Sequence, residues 1–395
     1  MIDMIKIIKG AKVYAPEFLG LKDVLVVNDK IGAIDENIEL RFEGAVEVGV
    51  IDASGMILTP GFIDSHVHIL GGGGEGGFKT RTPEITLTDI TAAGVTTIVG
   101  CLGTDGVGRS MESLYAKAKA LEEEGISTYI YTGNYRVPVT TITGSIMKDI
   151  MMIDKVIGVG EVAISDHRSS QPNVEELKRV AADARVAGIL SGKAGVVNMH
   201  LGDGRRMLDP IIEITEGSEI PKSQFIPTHM GRNSYLFEEA IRYAKSGGYI
   251  DFTTSSDPSF FEHGEVKASK ALKICLDNEV PEDKITFSSD GQGSLPTFNE
   301  NKELIGLRVG KCITMLEEFR AAVLEEGVKL EQALKVITSN PAEALKLKAK
   351  GSIAKGFDAD LVLLKEENLE LNTVIAKGQI MIKDKEIMIY GTFEK

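Results

Sequence analysis

Apolar positions follow two different rhythms along this chain. Near both ends they fall in short, partly alternating runs separated by turn residues, first at 6–14, 23–27, 30–35 and 46–57, and last at 359–364, 373–376, 379–382 and 386–390. Runs of this length and period predict strands. Both ends are therefore β-rich, and pairing them in one small module brings the termini together.

Between the ends the pattern changes. Eight apolar, β-branched runs, at 57–67, 97–101, 127–132, 156–164, 195–200, 224–229, 249–253 and 285–289, have the continuous hydrophobicity of strands buried on both faces. Stretches with helical spacing follow several of them, at 83–93, 110–124, 173–187, 234–246 and 265–278. Eight strands alternating with helices predict a parallel (β/α)₈, or TIM, barrel. Two further helices, at 304–326 and 330–339, lead out to the last β segment. The predicted fold is α/β: a barrel over 59–346 and a small β-sandwich built from 1–58 and 347–395. No solenoid repeat or low-complexity tract interrupts it.

Composition agrees with two cores. The chain has 395 residues, 43% of them hydrophobic, and single cores stop growing near roughly 250–300 residues. A net charge of −14 without any Lys/Arg run leaves no electrostatic footprint for nucleic acid or an anionic membrane surface. Cys101, Cys275 and Cys312 lie far apart and outside any C-x-x-C pattern. They suggest neither a disulfide framework nor a thiolate zinc site, which suits a reducing cytoplasm. The N-terminal stretch interleaves charged and apolar residues, unlike a signal peptide, and no segment approaches the ~18 apolar residues of a membrane span. A soluble, cytoplasmic protein is expected.

The chemistry collects at the ends of the predicted strands. His66 and His68, two apart on an extended segment, face the same side and can reach one cation. His200 ends the fifth run, His229 the sixth and Asp290 follows the eighth, while Glu161 lies in the fourth. Barrel active sites form on this carboxyl-end face. Any one of these residues alone reads equally well as a helix cap or a satisfied polar group. Together, four of only six histidines joined by two carboxylates form a nitrogen- and oxygen-rich set suited to Zn²⁺ or a similar divalent ion. Six ligands exceed one tetrahedral site and fit two ions sharing a carboxylate and a hydroxide. Such a hydroxide attacks a carbonyl while a neighbouring carboxylate, Asp290 by position, relays the proton to the leaving amine. The remaining histidines read otherwise: His263 as surface or capping structure, and His167 as a supporting or structural hydrogen-bonding group.

Pro60-Gly61-Phe62-Ile63-Asp64-Ser65-His66-Val67-His68 resembles the signature of the amidohydrolase superfamily, and Gly356-Phe357-Asp358-Ala359-Asp360-Leu361-Val362 resembles its exit into a small β-sandwich. Gly71-Gly72-Gly73-Gly74-Glu75, Arg81-Thr82-Pro83-Glu84, Leu102-Gly103-Thr104-Asp105, Thr141-Ile142-Thr143-Gly144-Ser145, Ser165-Asp166-His167-Arg168-Ser169, Pro227-Thr228-His229 and Ser288-Ser289-Asp290-Gly291 are similar to the isoaspartyl (β-aspartyl) dipeptidases. The pattern covers nearly the whole chain. The resemblance implies a metal-dependent barrel with two zinc ions, a cytoplasmic homo-oligomer, commonly an octamer, and an acidic dipeptide as substrate. It implies that His66, His68 and Asp290 hold one metal, that His200 and His229 hold the other, and that Asp290 carries the proton. It also implies that Glu75 meets the substrate ammonium, Arg168 and Arg232 its carboxylates, Tyr135 the scissile carbonyl or its oxyanion, and Thr104 and Ser294 the remaining polar groups. A β-aspartyl dipeptide carries one ammonium and two carboxylates, which an acid and two guanidinium forks complement.

From the residues alone, other roles stay open: Arg168 pairing with Asp166, Glu75 as a solvated loop charge, Tyr135 as packing, Ser294 as a turn cap. The glycine run reads as a surface turn or as a mobile element that closes Glu75 over substrate, and the second fits its place after the metal-binding strand. One position departs from many relatives, which bridge their metals with a carbamylated lysine. Here Glu161 stands in Gly158-Val159-Gly160-Glu161-Val162, and the glycines allow the strand to approach or bulge so that a shorter side chain reaches. Competing functions are a cyclic-amide hydrolase of the hydantoinase or dihydroorotase kind and a non-catalytic scaffold on the same fold.

Overall fold

A computed structural model describes residues 4–40, 47–262, 264–299, 301 and 303–394. His263 and the start of the 46–57 run lie outside them. The barrel strands Phe62–Val67, Val95–Gly100, Ser127–Thr132, Val156–Ile164, Val196–Leu201 and Phe225–Thr228 form one parallel sheet in chain order. Ile250–Thr253 and Ile285–Ser288 pair with each other in parallel. Hydrogen bonds close the ring at both seams. Met230 N donates to Asp251 O at 3.1 Å, and Asp290 N donates to His66 O at 3.1 Å. At the first seam the buried Asp251 carboxylate accepts from Thr228 Oγ1, Thr286 Oγ1 and Ser288 Oγ at 2.5–2.7 Å, tying the last three strands together.

Helices cover the outside of the ring because their apolar stripes have nowhere else to go. In Val174–Ser191, Leu177, Val180, Ala181, Ala184 and Ala187 are buried at helical spacing. Asn173 and Glu176 cap its start reciprocally, and Gly192, at φ 69°, ends it in the left-handed conformation. Each large apolar side chain buried this way contributes about 1.5–3 kcal/mol. Ile146–Met152 and Asp209–Glu216, which the apolar spacing does not announce, are short helices in the same layer.

Among the described residues, nine strands from both chain ends form a second sheet. Met56–Pro60 lies in it antiparallel to Leu361–Lys365 and parallel to Ile5–Tyr14. Ile8, Val24, Leu58, Leu361 and Ile375 fill its core. Lys350 joins the two modules: its buried ammonium bonds Asp360, lies 2.8 Å from Asp358 Oδ2 and donates to Ser127 Oγ at 2.5 Å, at the start of the third barrel strand.

Two expectations change. The run 57–67 is not one barrel strand: it breaks at Gly61, with Met56–Pro60 in the end sheet and Phe62–Val67 in the barrel. A side chain at Gly61 would meet Thr96 Oγ1 at 2.2 Å, so the chain passes here too tightly for any other residue. The predicted helix at 304–326 starts instead as a strand, Leu304–Val309, paired antiparallel with Ser294–Phe298, and the helix proper is Ile313–Leu324. Alternating apolar residues and Gly306 suit a hairpin, and Gly310 passes so close to Asp290 O that a Cβ would meet it at 2.3 Å. The 83–93 and 330–339 stretches hold shorter helices, Leu87–Thr91 and Leu330–Lys335, and Ser339–Ala344 follows the second.

Candidate active site

The barrel's carboxyl rim gathers His66, His68, Glu161, His200, His229 and Asp290 in one buried group. Glu161 is its centre. Its Oε1 lies 3.2 Å from His68 Nε2, and its Oε2 lies 3.3 Å from His66 Nε2, 3.3 Å from His200 Nδ1 and 3.9 Å from His229 Nε2. Asp290 Oδ1 approaches His68 Nε2 at 3.0 Å and His66 Nε2 at 3.6 Å. The strand brings Glu161 there by a bulge: its register with the fifth strand shifts between the Val197–Val159 and Met199–Val162 pairs. Gly158 and Gly160 make the approach possible, since side chains there would strike Val196 O at 2.6 Å and Asn198 Cβ at 2.8 Å. His229 and Asp290 both sit at positive φ, 63° and 53°, a strain that persists only where surrounding structure enforces it.

The donor set fits a divalent metal. Both nitrogens of His66, both oxygens of Glu161 and Asp290 Oδ1 are buried without a hydrogen bond, and an unsatisfied buried polar group costs about 1–3 kcal/mol. Four of these atoms, His66 Nε2, both Glu161 oxygens and Asp290 Oδ1, face one another and are explained if they are ligand atoms. Two overlapping groups have metal-ligand spacing, His66, His68, Cys101 and Glu161, and Glu161, His200 and His229, with Glu161 common to both. Burial opposes charge on His66 and His68, but Cys101, Glu161 and Asp290 around them outweigh it and raise both well above 6.5. Burial opposes charge on Glu161, yet the surrounding imidazoles hold it well below the usual carboxylate range. Burial lowers His229 to about 3, reinforced by the nearby His200 charge, so this imidazole stays neutral and keeps a lone pair for a cation.

The imidazoles are oriented from behind. Asp166 Oδ2 accepts from His200 Nε2 at 3.0 Å, which turns Nδ1 toward Glu161. Thr253 Oγ1 lies 2.5 Å from His229 Nδ1, which leaves Nε2 facing inward. Such outer partners fix tautomer and ring orientation.

A cavity of ≈ 400 Å³ opens above this group. Glu75 reaches into it from the glycine loop, with Oε1 3.2 Å from both Thr104 Oγ1 and Arg168 Nη1, and Ser294 Oγ donates to it at 3.0 Å. These four expected substrate residues thus meet in one place. The first half of the glycine loop is pinned, Gly71 N to His68 O at 2.7 Å and Gly72 N to Gln292 O at 2.9 Å. Tyr135 is buried with its hydroxyl 2.9 Å from His200 Nδ1, and Arg168 lies over its ring at 5.6 Å. Arg232 lines the same cavity; among the described residues no carboxylate lies within ion-pair distance of its side chain. His167 is exposed at the rim and joins neither ligand group.

Sequence reasoning missed three residues here. Cys101 Sγ lies 3.8 Å from His68 Nδ1, and its position at the end of the second predicted strand was the available signal. Asp166 was read only as a partner for Arg168, although it also holds His200. Glu265, read as the start of a helix, lines the cavity.

A closed parallel barrel whose carboxyl rim gathers four imidazoles around a shared carboxylate defines a metallohydrolase of the amidohydrolase type. Sequence models of the amidohydrolase family match residues 225–381 and 49–119. The β-aspartyl dipeptidase of the thermophilic, keratin-degrading Fervidobacterium islandicum AW-1, solved in complex with a β-Asp-Leu dipeptide, is 51% identical, with a TM-score of 0.90 over 97% of this chain and 98% of that one. The chain belongs to this family of β-aspartyl dipeptidases. More distant are the dihydroorotase of Listeria monocytogenes, 27% identical across 91% of this chain and 89% of that protein, and the adenine deaminase of Clostridium acetobutylicum, 23% identical. This chain spans about half, 53%, of that deaminase's length. Among the described residues no helix is long and apolar enough to cross a membrane.

Proposed function

We propose that the protein is a metallo-dipeptidase that hydrolyses the isopeptide bond of β-aspartyl dipeptides. Two divalent ions, zinc by the donor set, would be held by His66, His68 and Asp290 on one side and by His200 and His229 on the other, with Glu161 shared between them. The observation that carries this is the approach of one carboxylate, Glu161, to all four imidazoles. Ions bound there supply a water of lowered pKa and a Lewis acid for the scissile carbonyl.

The chain's own residues do the rest. Asp290, held as an ionised carboxylate despite burial by the adjacent His68 imidazole, takes a proton at its carboxylate oxygen and returns it to the leaving amine. Tyr135 is kept protonated, first by burial and then by the Glu161 charge, so its hydroxyl donates to the carbonyl oxygen as negative charge develops there. Glu75 binds the ammonium of the β-aspartyl residue, Arg168 and Arg232 bind the two carboxylates, and Thr104 and Ser294 hold the remaining polar groups. This assigns both substrate charge types to groups of opposite sign, and the dipeptide bound to the Fervidobacterium relative is of the same class. A cytoplasmic homo-oligomer, an octamer by resemblance, belongs to the same proposal.

A kinetic panel of β-aspartyl, α-aspartyl and γ-glutamyl dipeptides with hydantoin and dihydroorotate tests it. Selective turnover of the β-aspartyl dipeptides is expected, and faster turnover of a cyclic amide would overturn the substrate assignment.

A further inference from the structure

The proposed function leaves one side of the cavity without a task. Beyond Arg232 its wall is formed by Tyr235, Phe260, Val266, Leu295 and Pro296, together with the half-buried carboxyl of Glu265. The backbone fixes Glu265 beside Arg232: Val266 N donates to Gly231 O at 2.8 Å, so the two side chains leave from residues flanking a single hydrogen bond. Among the described residues, the Glu265 carboxyl accepts a side-chain hydrogen bond from the Ser256 hydroxyl alone. A carboxylate offers about four acceptor positions, and this one lines the cavity with only one of them used by a side chain among the described residues. Burial raises its pKa to about 7, with the Ser256 hydrogen bond and the Arg232 charge opposing this and Asp203 and Asp257 adding to it.

If Arg232 holds the α-carboxylate of the leaving residue, the side chain on the same carbon is directed to this wall. We propose that Glu265 reads the side chain of the leaving residue, favouring an apolar stem that ends in a cation or hydrogen-bond donor, as in lysine, and rejecting a carboxylate. The inference rests on the β-aspartyl dipeptide reading. Tyr235, Phe260 and Val266 cover the methylenes, as apolar surface does for lysine stems elsewhere, while Glu265 receives the ammonium. An acidic side chain would instead place like charges together in a partly desolvated pocket. Specificity of this kind comes from repulsion as much as attraction.

The test compares kcat/KM for β-Asp-Lys, β-Asp-Leu and β-Asp-Glu in the wild-type enzyme and in Glu265→Gln. The wild type is expected to prefer the lysine substrate over the glutamate substrate by roughly tenfold or more. Glu265→Gln is expected to lower kcat/KM for β-Asp-Lys and raise it for β-Asp-Glu, collapsing that ratio. The ratio does not depend on how much of the variant folds, so an unchanged ratio overturns the inference. Turnover of none of the three by the wild type would overturn the β-aspartyl reading itself, whereas turnover with no lysine preference overturns only the role of Glu265.

Discussion

Asp166 Oδ2 accepts from His200 Nε2 at 3.0 Å and from Arg168 Nη2 at 2.8 Å, so one carboxylate orients both a metal-ligand candidate and a substrate-binding arm. Its other oxygen accepts from Arg168 Nε at 3.0 Å. Burial opposes its ionisation, but His200 and Arg168 outweigh that and hold it far below the usual carboxylate range. Asp166→Asn keeps the shape and removes one charge-assisted acceptor. It is expected to weaken metal binding by about 10–100-fold and to raise KM through the loosened Arg168. Metal titration and steady-state kinetics read the two effects separately, and a change in neither would show that the carboxylate positions nothing.

Glu161 is predicted to bridge without modification. Reconstitution of metal-stripped protein in CO₂-depleted buffer should restore full activity, because no carbamate has to form. A requirement for added bicarbonate would overturn the direct bridge. Glu161→Ala should lower the bound metal measured by elemental analysis, since it removes the one ligand common to both groups.

Glu75 shares its carboxylate among Thr104, Arg168 and Ser294. Replacing it with Gln removes the charge offered to the substrate ammonium. Hydrogen bonds to charged groups are worth about 1.5–3 kcal/mol, so kcat/KM for β-aspartyl dipeptides should fall roughly 10- to 150-fold. Unchanged kinetics would remove Glu75 from the substrate assignment.

Lys350 is predicted to matter for stability rather than catalysis. Its side chain is 3% exposed, against 7% for its partner Asp360. Lys350→Met leaves that carboxylate buried without its cation, and breaking such a pair costs about 3–5 kcal/mol, which thermal denaturation would register as a lower Tm. Burial lowers the Lys350 pKa, but Asp360 and Asp358 outweigh it and raise it above 10.5. A raised folded-state pKa contributes stability that is complete below the unfolded value and lost as pH rises through the folded one. The wild type should therefore lose part of its stability above about pH 10.5, and the variant should lose less over the same range.

Much of this site was legible in the sequence because strand ends in a barrel share one face. His66, His68, His200, His229 and Asp290 each follow an apolar run, so topology alone brings them together. Glu161 was legible for a different reason, the flanking glycines that let its strand approach a neighbour. The remainder depended on contacts that no local pattern encodes. Cys101 approaches His68 across two strands, Asp166 reaches His200 from 34 positions away, and Glu265 is brought to the cavity by the bond from its neighbour Val266 N to Gly231 O. The hairpin carrying Ser294 was hidden because its second strand, Leu304–Val309, runs almost directly into helical spacing, and Gly310 marks the change only when its contact with Asp290 is seen.

The break at Gly61 has a mechanical consequence. The strand ending at Pro60 is held by Leu361–Lys365 from the far end of the chain, and one residue later the backbone becomes the strand that carries His66 and His68. Gly61 alone separates the end sheet from the strand that leads to the two histidines, so pairing with the C-terminal strands anchors the chain within a few residues of the site. The tail moors the strand that leads into the candidate site.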